Sequence, residues 1–256
     1  MATWNAGFVQ PPPFAHLAPW AEQLAGPGWP RLSHLNRLAE AADLRNAYGL
    51  ALRFQRQESR CGQRDYEAGI LKSGVVPTRE NNWHDLLNAL CWLAFPRAKA
   101  ALNLVQSQAL APGCPRGPVS DAATLFDESG LILAAPDEEL ATLLAQRRWR
   151  EAFVERRAAW RQARPFVIGH AVLEKMLQPW PGITAKCLFV PQPEEGEAAG
   201  GMEQVDARVA QTWLDGQVER PGMLFPVPVL GIPGWWPANE SPAFYDNREV
   251  FRPARD

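Results

Sequence analysis

The sequence predicts a helix-rich α+β protein, and three observations support that class. Apolar residues recur mainly at helical spacing, whereas segments with strand alternation are few, short and scattered. Many of the 24 prolines lie in the C-terminal segment, which predicts a long irregular stretch there. The 256-residue chain is 46% hydrophobic with a formal net charge of −2, as is typical of a globular protein with its own core. Strands this sparse exclude a doubly wound parallel sheet.

The domain organisation is predicted from length and local composition. Residues 1–30 are rich in Pro, Gly and Trp and predict an irregular N-terminal arm laid over the core. The remaining residues, 31–256, have a length that suits a single globular domain. Residues 192–201 are acidic and rich in Gly and Ala, so we expect a mobile loop inside that domain.

Three elements are predicted near the start of the domain. Leucines at helical spacing predict a helix over 32–44, with Ser33 as a candidate N-cap. Alternating apolar and polar residues over 50–54 predict a strand. A short helix over 64–72 is expected to end at Gly74, because glycine readily adopts the left-handed conformation that ends helices.

The most apolar part of the sequence predicts two consecutive helices. Asn82 is a candidate N-cap for a buried helix that runs to Phe95. Pro96 interrupts that helix, and a second helix is expected over 97–110.

A β-hairpin is predicted after these helices. Residues 123–126 and 131–133 are its two short strands, and the turn between them ends at Gly130, where positive φ is tolerated. The other predicted elements are a helix from Pro136, a helix over 149–163, a strand over 166–168, a helix from 169 or 170 to before Pro179, a strand over 184–190 and a helix over 202–214.

The C-terminal segment is expected to be irregular because prolines interrupt it repeatedly. Such a segment gains little from backbone hydrogen bonds, so large aromatic side chains must dock it on the core. The candidate anchors are Trp235, Trp236, Phe244, Tyr245 and Phe251.

Composition and charge restrict the cellular locations and the classes of binding partner that we expect. The N-terminus has neither the basic nor the apolar region of a secretory signal, and no apolar run reaches the ~20 residues of a membrane span. The near-zero net charge argues against nucleic acid, and the arginine-rich helix over 149–163 is better explained as a solvated amphipathic helix. Four scattered cysteines predict reduced thiols. We therefore expect a cytoplasmic protein whose partner is a small molecule or another protein, with the oligomeric state left open.

A polar stripe on the buried helix is the first candidate site. His84, Asp85 and Asn88 fall within an arc of about 100° on a helix whose other residues to Phe95 are apolar. Buried polar groups need partners, a metal or a ligand. A cap at Asn82 with a return bond from Asp85 would explain that aspartate structurally, whereas His84 and Asn88 remain candidates for function.

His170 and Glu174 form the second candidate site. They are four residues apart on a predicted helix, so they could ligate a metal together, or the carboxylate could orient the imidazole; a structural hydrogen bond is the alternative. Asp121, Asp127 and Glu128 flank the predicted hairpin, and with the two histidines they would make a nitrogen and oxygen site for a hard cation, although turns recruit Asp for backbone reasons alone. The candidate catalytic residues are His84, Asp85, Asn88, Asp127, Glu128, His170 and Glu174. The candidate ligands of a divalent metal are His84, Asp85, His170 and Glu174.

Four sequence blocks resemble those of one bacterial family. They are NNWHDLLNALCWLAFPRAKAALN (81–103), SDAATLFDESG (120–130), GHAVLEK (169–175) and GIPGWWPANESPAFYDNREVFRP (231–253). The family is an uncharacterised domain of unknown function, found mainly in proteobacteria. The resemblance implies that the four blocks belong to one domain, and it implies no activity, substrate or catalytic residue.

Two functions remain open from the sequence. The first is a cytoplasmic hydrolase in which a His/carboxylate site, with or without a divalent metal, activates water. The second is a non-catalytic ligand- or protein-binding module whose polar stripe is structural. The sequence has no G-x-S-x-G, H-E-x-x-H or glycine-rich phosphate motif to select an enzyme class. The position of His84 relative to His170 separates the two functions, because a shared active site requires one cleft.

Overall fold

The computed structural model describes residues 4–59, 62–109, 117–192 and 201–254, and it confirms the helix-rich α+β class. The α-helices are α1 (Ala18–Ala21), α2 (Leu32–Ala41), α3 (Gln63–Ser73), α4 (Trp83–Ala94), α5 (Pro96–Ala109), α6 (Pro118–Ser129), α7 (Glu139–Ala145), α8 (His170–Met176) and α9 (Met202–Leu214). The strands are β1 (Arg53–Arg56), β2 (Val75–Thr78), β3 (Gly130–Ala135), β4 (Arg164–Val167), β5 (Thr184–Pro191) and β6 (Phe225–Pro228).

The strands form two small sheets. β1 and β2 pair in parallel, and the other four strands lie in the order β4–β3–β5–β6. β3 is parallel to β5 and antiparallel to β4, and all six of its residues are buried. α6 packs against β3 and β5, and α9 also packs against β5. The central strand is therefore enclosed, and the residues at its N-terminal end are held firmly in place.

Two glycines bring the end of α6 against the start of α8. A Cβ atom on Gly169 would lie 2.3 Å from the backbone nitrogen of Gly130, and one on Gly130 would lie 2.4 Å from the carbonyl oxygen of Phe126. The N–H groups of Ile168 and Gly169 donate to the Gly130 carbonyl at 3.1 and 2.9 Å. Only glycine allows so close an approach, and this approach sets the side chains at the end of α6 beside those that begin α8.

α4 is buried along almost its whole length, as its apolar sequence predicts. Asn82 caps the helix as predicted, because its side-chain oxygen accepts the N–H of Asp85 at 3.1 Å. Pro96 begins α5 directly after the helix ends. Leu87 and Leu90 have no exposed surface, and α4 contacts α1, α2, α5 and α8. One buried helix thus links the N-terminal elements to the rest of the core.

The predicted β-hairpin over 123–133 is wrong in its first strand. Residues 123–126 belong to α6, and the segment predicted as the second strand lies in β3. Pro118 occupies the first helical position, which favours a helix start, and α6 buries Ala122, Ala123 and Phe126 at helical spacing. Four apolar residues are too few to distinguish a strand from a helix, and the tertiary contacts decide. The antiparallel neighbour of β3 is β4.

The helix predicted over 149–163 differs in form. A π-helical turn over Glu151–Glu155 is followed by a 3-10 turn over Arg157–Arg161. The Trp160 indole donates to a backbone carbonyl of the π-helical turn at 2.7 Å and stacks on Phe153 with ring centroids 5.4 Å apart. Packing of these aromatic side chains overrides the helical pattern of the sequence.

Smaller differences concern element boundaries. Gly74 ends α3 with φ +70°, as predicted. Ser33 lies inside α2 rather than capping it, because the helix begins one residue earlier. The strand predicted over 50–54 starts only at Arg53. There the side-chain oxygen of Asn36 accepts the N–H of Phe54 at 2.7 Å, and the side-chain amide of Asn36 donates to the carbonyl of Phe54 at 3.0 Å.

The C-terminal segment is docked by side chains, and one part of it is regular. Residues 225–228 form the edge strand β6, which tolerates proline because one side of an edge strand needs no ladder hydrogen bonds. The Tyr245 hydroxyl donates to the Gly231 carbonyl at 2.9 Å, and its ring stacks on Phe153 with centroids 5.3 Å apart. The Trp149 indole holds the end of the segment by donating to the carbonyl of Arg252 at 2.7 Å.

One cluster of buried apolar residues extends from Phe8 to Phe251. The predicted arm contributes buried side chains to this cluster through short 3-10 turns and α1. The division into an arm over 1–30 and one domain over 31–256 stays a prediction, and the predicted loop falls mostly on residues 193–200, outside the described residues. Of the helices described, none is long and apolar enough to cross a bilayer.

We expect Leu87→Ala and Leu90→Ala each to lower the free energy of unfolding by ~2–5 kcal/mol, because each deletion leaves a cavity in a fully buried helix. Leu214→Ala is the control, since that leucine is 52% exposed at the end of α9. Urea unfolding of the three variants measures the effect. Losses below about 1 kcal/mol at both buried positions would show that α4 is peripheral.

Candidate functional site

Three elements meet at the wall of a cleft with a volume of about 640 Å³. The first turn of α4 contributes His84, the last turn of α6 contributes Asp127 and Glu128, and α8 begins with His170. Amide and hydroxyl groups cover much of the remaining wall. They belong to Gln57, Ser59, Gln63, Tyr66, Asn88, Gln106 and Thr124.

His84 and His170 contact each other in this cleft. Their Nε2 atoms lie 3.1 Å apart, and the rings meet edge to face with centroids 4.5 Å apart. His170 is 3% exposed, whereas the side chain of His84 is 28% exposed. Two imidazoles from distant parts of the chain therefore bring one ring nitrogen each to the same point.

Glu174 lies behind His84. Its Oε2 atom is 3.0 Å from Nδ1 of His84, and the glutamate is exposed to solvent. A carboxylate accepts this hydrogen bond, so Nδ1 of His84 is the donor. Glu174 was expected to share a face of α8 with His170, but its hydrogen bond goes to the histidine of α4.

Two carboxylates flank His170. Oδ2 of Asp127 lies 3.8 Å from Nδ1 of His170, and Oε1 of Glu128 lies 3.7 Å from Nε2. Nδ1 of His170 is buried and has no hydrogen-bond partner among the described residues. Each ring nitrogen of the buried histidine therefore has a carboxylate just beyond hydrogen-bonding distance.

A buried lysine holds Asp127 in place. Lys99 is 3% exposed, and its ammonium group donates to Oδ1 of Asp127 and, at 2.8 Å, to Oδ1 of Asn88. The ammonium also lies 5.4 Å from the ring centroid of Trp92. The amide of Asn88 donates to the hydroxyl of Tyr66 at 3.2 Å. A buried charge is tolerated only when paired in this way, so α4, α5 and α6 are joined by one polar network.

Asp85 is engaged by a different partner. Its carboxylate accepts the backbone N–H of Arg79 at 2.6 Å and two guanidinium N–H groups of the same residue at 3.0 and 2.7 Å. The carboxylate therefore fixes the segment before α4, in place of the expected return bond to the N-cap.

The predicted site residues are thus only partly brought together. One cluster contains five of them: His84, His170, Glu174, Asp127 and Glu128. Asn88 contacts this cluster indirectly, through Lys99. Asp85 lines the cleft, but its carboxylate oxygens are bound to Arg79. The catalytic and metal-binding roles assigned to the seven residues stay predictions.

Burial and charge set the protonation of the cluster. Burial lowers the pKa of His170 to about 3, although the neighbouring Asp127 opposes that change. Burial alone would raise the pKa of Asp127, but Lys99 and His170 hold it below its usual value. Burial and the charge of Asp127 raise the pKa of Glu128. At neutral pH, His170 is therefore a neutral imidazole with an available lone pair.

Sequence reasoning missed two residues of this region, Lys99 and Glu67. Lys99 is one of two cations, with Arg97, in the largely apolar stretch after Pro96, and nothing in the sequence marks it as the buried one. Glu67 lies in the cleft wall and is 6% exposed, and its Oε2 accepts the amide of Asn103 at 2.7 Å. Burial, with a contribution from Asp127, raises the pKa of Glu67 to about 8. Its spacing from the apolar residues of α3 places it on the buried face, but a single glutamate on such a face is a weak signal.

One family model matches the chain. It is described as "Protein of unknown function (DUF3025)", and the match covers residues 52–255. No curated protein and no solved structure matches the chain. The match includes each of the four blocks that carry the resemblance.

We expect Glu67→Gln to stabilise the protein increasingly as the pH rises from 4.5 to 8. In that window the folded state keeps Glu67 protonated, with a pKa of about 8 against an ordinary 4.5, whereas the unfolded chain releases the proton. Rising pH therefore favours unfolding of the wild type, and the glutamine variant escapes this penalty, on the order of a few kcal/mol.

Urea unfolding of wild type and variant at both ends of this window measures the effect. Glu40→Gln, which alters an exposed carboxylate of α2, is the control and should leave the pH dependence unchanged. An equal stability difference between Glu67→Gln and wild type at both pH values would show that Glu67 is ionised in the folded protein.

Proposed function

We propose that this chain, which belongs to the DUF3025 family of proteins of unknown function, is a hydrolase with a His/carboxylate active site in the cleft. One observation carries the proposal: Nε2 of His84 and Nε2 of His170 lie 3.1 Å apart in the wall of that cleft. Sequence reasoning made a shared cleft the condition for an enzyme, and the contact between the two rings meets that condition.

The surroundings of the two imidazoles suit the activation of water. His84 is held by Glu174 through Nδ1, which turns Nε2 toward the neutral His170, and His170 is shielded by the core. A histidine oriented by a carboxylate is a common general base in enzymes. The His84 side chain is 28% exposed in the cleft wall, so water reaches that imidazole.

The chemistry is the addition of water across a bond of a bound substrate. The water oxygen attacks an electrophilic carbon or phosphorus atom, and the bond to the leaving group breaks with its electron pair. The imidazole and carboxylate groups accept the proton of the water and return one to the leaving group. Amide and hydroxyl groups of the same cleft form a linked polar lining that a polar substrate would meet: Gln63 donates to Thr124 at 2.6 Å, and Thr124 donates to Gln106 at 3.0 Å.

A non-catalytic binding module is the second candidate. The same amide and hydroxyl network favours it, because such a lining can fix a polar ligand without any reaction. The cluster around His170 favours the hydrolase, because a binding site has no need of a neutral histidine between two carboxylates. The cytoplasmic location predicted from the sequence remains part of the proposal.

The test is a panel of chromogenic substrates that covers p-nitrophenyl esters, phosphomonoesters and glycosides, together with aminoacyl coumarin amides. We expect turnover of at least one class by the full chain. His84→Ala and His170→Ala should each lower the rate by about 100-fold or more, because each removes a group that acts on the water. Far-UV circular dichroism monitors the fold of both variants.

His34→Ala is the matched control, since His34 lies on α2 and does not line the cleft. It should retain the wild-type rate. No turnover of any class, or turnover that survives both cleft substitutions, would contradict the hydrolase. Ligand-induced thermal stabilisation without turnover would favour the binding module.

A further inference from the structure

We infer that His84, His170 and Glu128 form a binding site for a divalent transition-metal ion, with Nε2 of each imidazole and one carboxylate oxygen as ligands. The inference rests on the proposed function and changes the part of the two imidazoles in it: they would hold the ion that activates the water, in place of accepting its proton themselves. It differs from the ligand set predicted from the sequence, which contained Asp85 and Glu174 in place of Glu128.

The distances between the three ligand atoms fit a single ion. These atoms all lie within 4.8 Å of one another. In a tetrahedral site with zinc–nitrogen bonds of 2.0–2.1 Å, two ligand nitrogens are separated by about 3.3 Å. The two Nε2 atoms are 3.1 Å apart, and Nε2 of His170 is 3.7 Å from Oε1 of Glu128. Small side-chain rotations would bring all three atoms to bonding distance of one ion.

The contacts behind the two rings turn their Nε2 atoms toward one point. Nδ1 of His84 donates to Glu174 at 3.0 Å, so Nε2 is the nitrogen left for a ligand. Nδ1 of His170 is buried beside Asp127, whose carboxylate oxygen lies 3.8 Å away, so Nε2 is the nitrogen that faces His84. When each ring carries its proton on Nδ1, the two Nε2 lone pairs face each other at 3.1 Å, and an ion between them satisfies both.

Each metal-ligating imidazole also has a carboxylate behind it. Glu174 lies behind His84, and Asp127 lies behind His170. The other carboxylate oxygen of Asp127 is held by Lys99. Ligating histidines in proteins regularly donate their second N–H to such a group, which orients the ring and raises its basicity. The cleft therefore holds the ligands together with the residues that position them.

Charge and ligand type define the class of ion. The three carboxylates of Glu128, Glu174 and Asp127 exceed the one ammonium of Lys99 by two negative charges, which a divalent cation would neutralise. Two imidazoles and one carboxylate suit zinc and related transition metals, whereas magnesium and calcium prefer oxygen ligands alone. Three protein ligands leave a position open for water, whose pKa such an ion lowers towards neutrality.

Asp85 is not part of this site, because both of its carboxylate oxygens are bound to Arg79. Glu174 is a positioning residue rather than a ligand, because its contact is with Nδ1 of His84, the nitrogen that carries the proton.

The experiment titrates chelator-treated full-length protein with Zn²⁺ by calorimetry and with Co²⁺ by visible absorption. We expect about one ion per chain. Glu128→Gln, His84→Ala and His170→Ala should abolish binding, while Glu174→Gln and Asp127→Asn should weaken it about 10–100-fold, as loss of a supporting carboxylate does. Glu128 is a partly exposed side chain, so its substitution tests the site without disturbing the core.

Two controls define the outcomes. Glu58→Gln alters an exposed carboxylate of the same cleft, and Asp85→Asn alters a ligand of the sequence-predicted set; both should bind as the wild type does. Absence of Zn²⁺ and Co²⁺ binding by the wild type, or full binding by Glu128→Gln, would overturn the site. If turnover of the substrate panel then persists in the presence of a chelator, the metal inference is wrong while the proposed hydrolase stands.

Discussion

The pairing of the buried Lys99 ammonium with Asp127 is the constraint on which the core and the cleft both depend. Lys99 comes from α5, its acceptors come from α4 and α6, and Asp127 in turn faces His170 at the start of α8. Taking an ammonium and a carboxylate out of water is costly, and the pair persists only because each group is hydrogen-bonded. Since an unpaired partner would be a buried charge, the four helices cannot shift independently. The geometry at His84 and His170 follows from this restriction.

The sequence predicted the helical part of the fold well, because caps and periodicity are local signals. Asn82 and Gly74 bound helices where they were expected to, and α4 is as buried as its composition suggests. The first strand of the predicted hairpin and the regular helix over 149–163 were wrong. In both segments the secondary structure of a short apolar or aromatic run is decided by tertiary contacts, and a local stretch of sequence does not contain those contacts. The pairing of β3 with β5 could not be predicted for the same reason, because β5 lies about 50 residues further along the chain.

The site was predictable as a set of residues but not as an arrangement. Scarcity of histidine and the polar stripe on an apolar helix singled out His84 and His170, and the two rings are in contact. Their role in a reaction stays a prediction. The partners were assigned by spacing along one helix, yet Glu174 bonds across to α4 and Asp85 turns away to Arg79. Such pairings depend on how α4, α6 and α8 meet, which no spacing within one helix encodes. The close packing of Gly130 and Gly169 fixes the junction of α6 and α8.

A metal site at His84 and His170 places one ion between the two imidazoles, and anomalous diffraction from crystals grown with Zn²⁺ tests that placement directly. The predicted result is a single peak at the zinc absorption edge, bonded to Nε2 of His84 and of His170 at about 2.0–2.1 Å and to a carboxylate oxygen of Glu128. Glu174 and Asp127 should accept the Nδ1 protons behind the two rings. The account is contradicted if the cleft shows no peak and the two Nε2 atoms share a direct hydrogen bond, or if the ion is bound by Asp85.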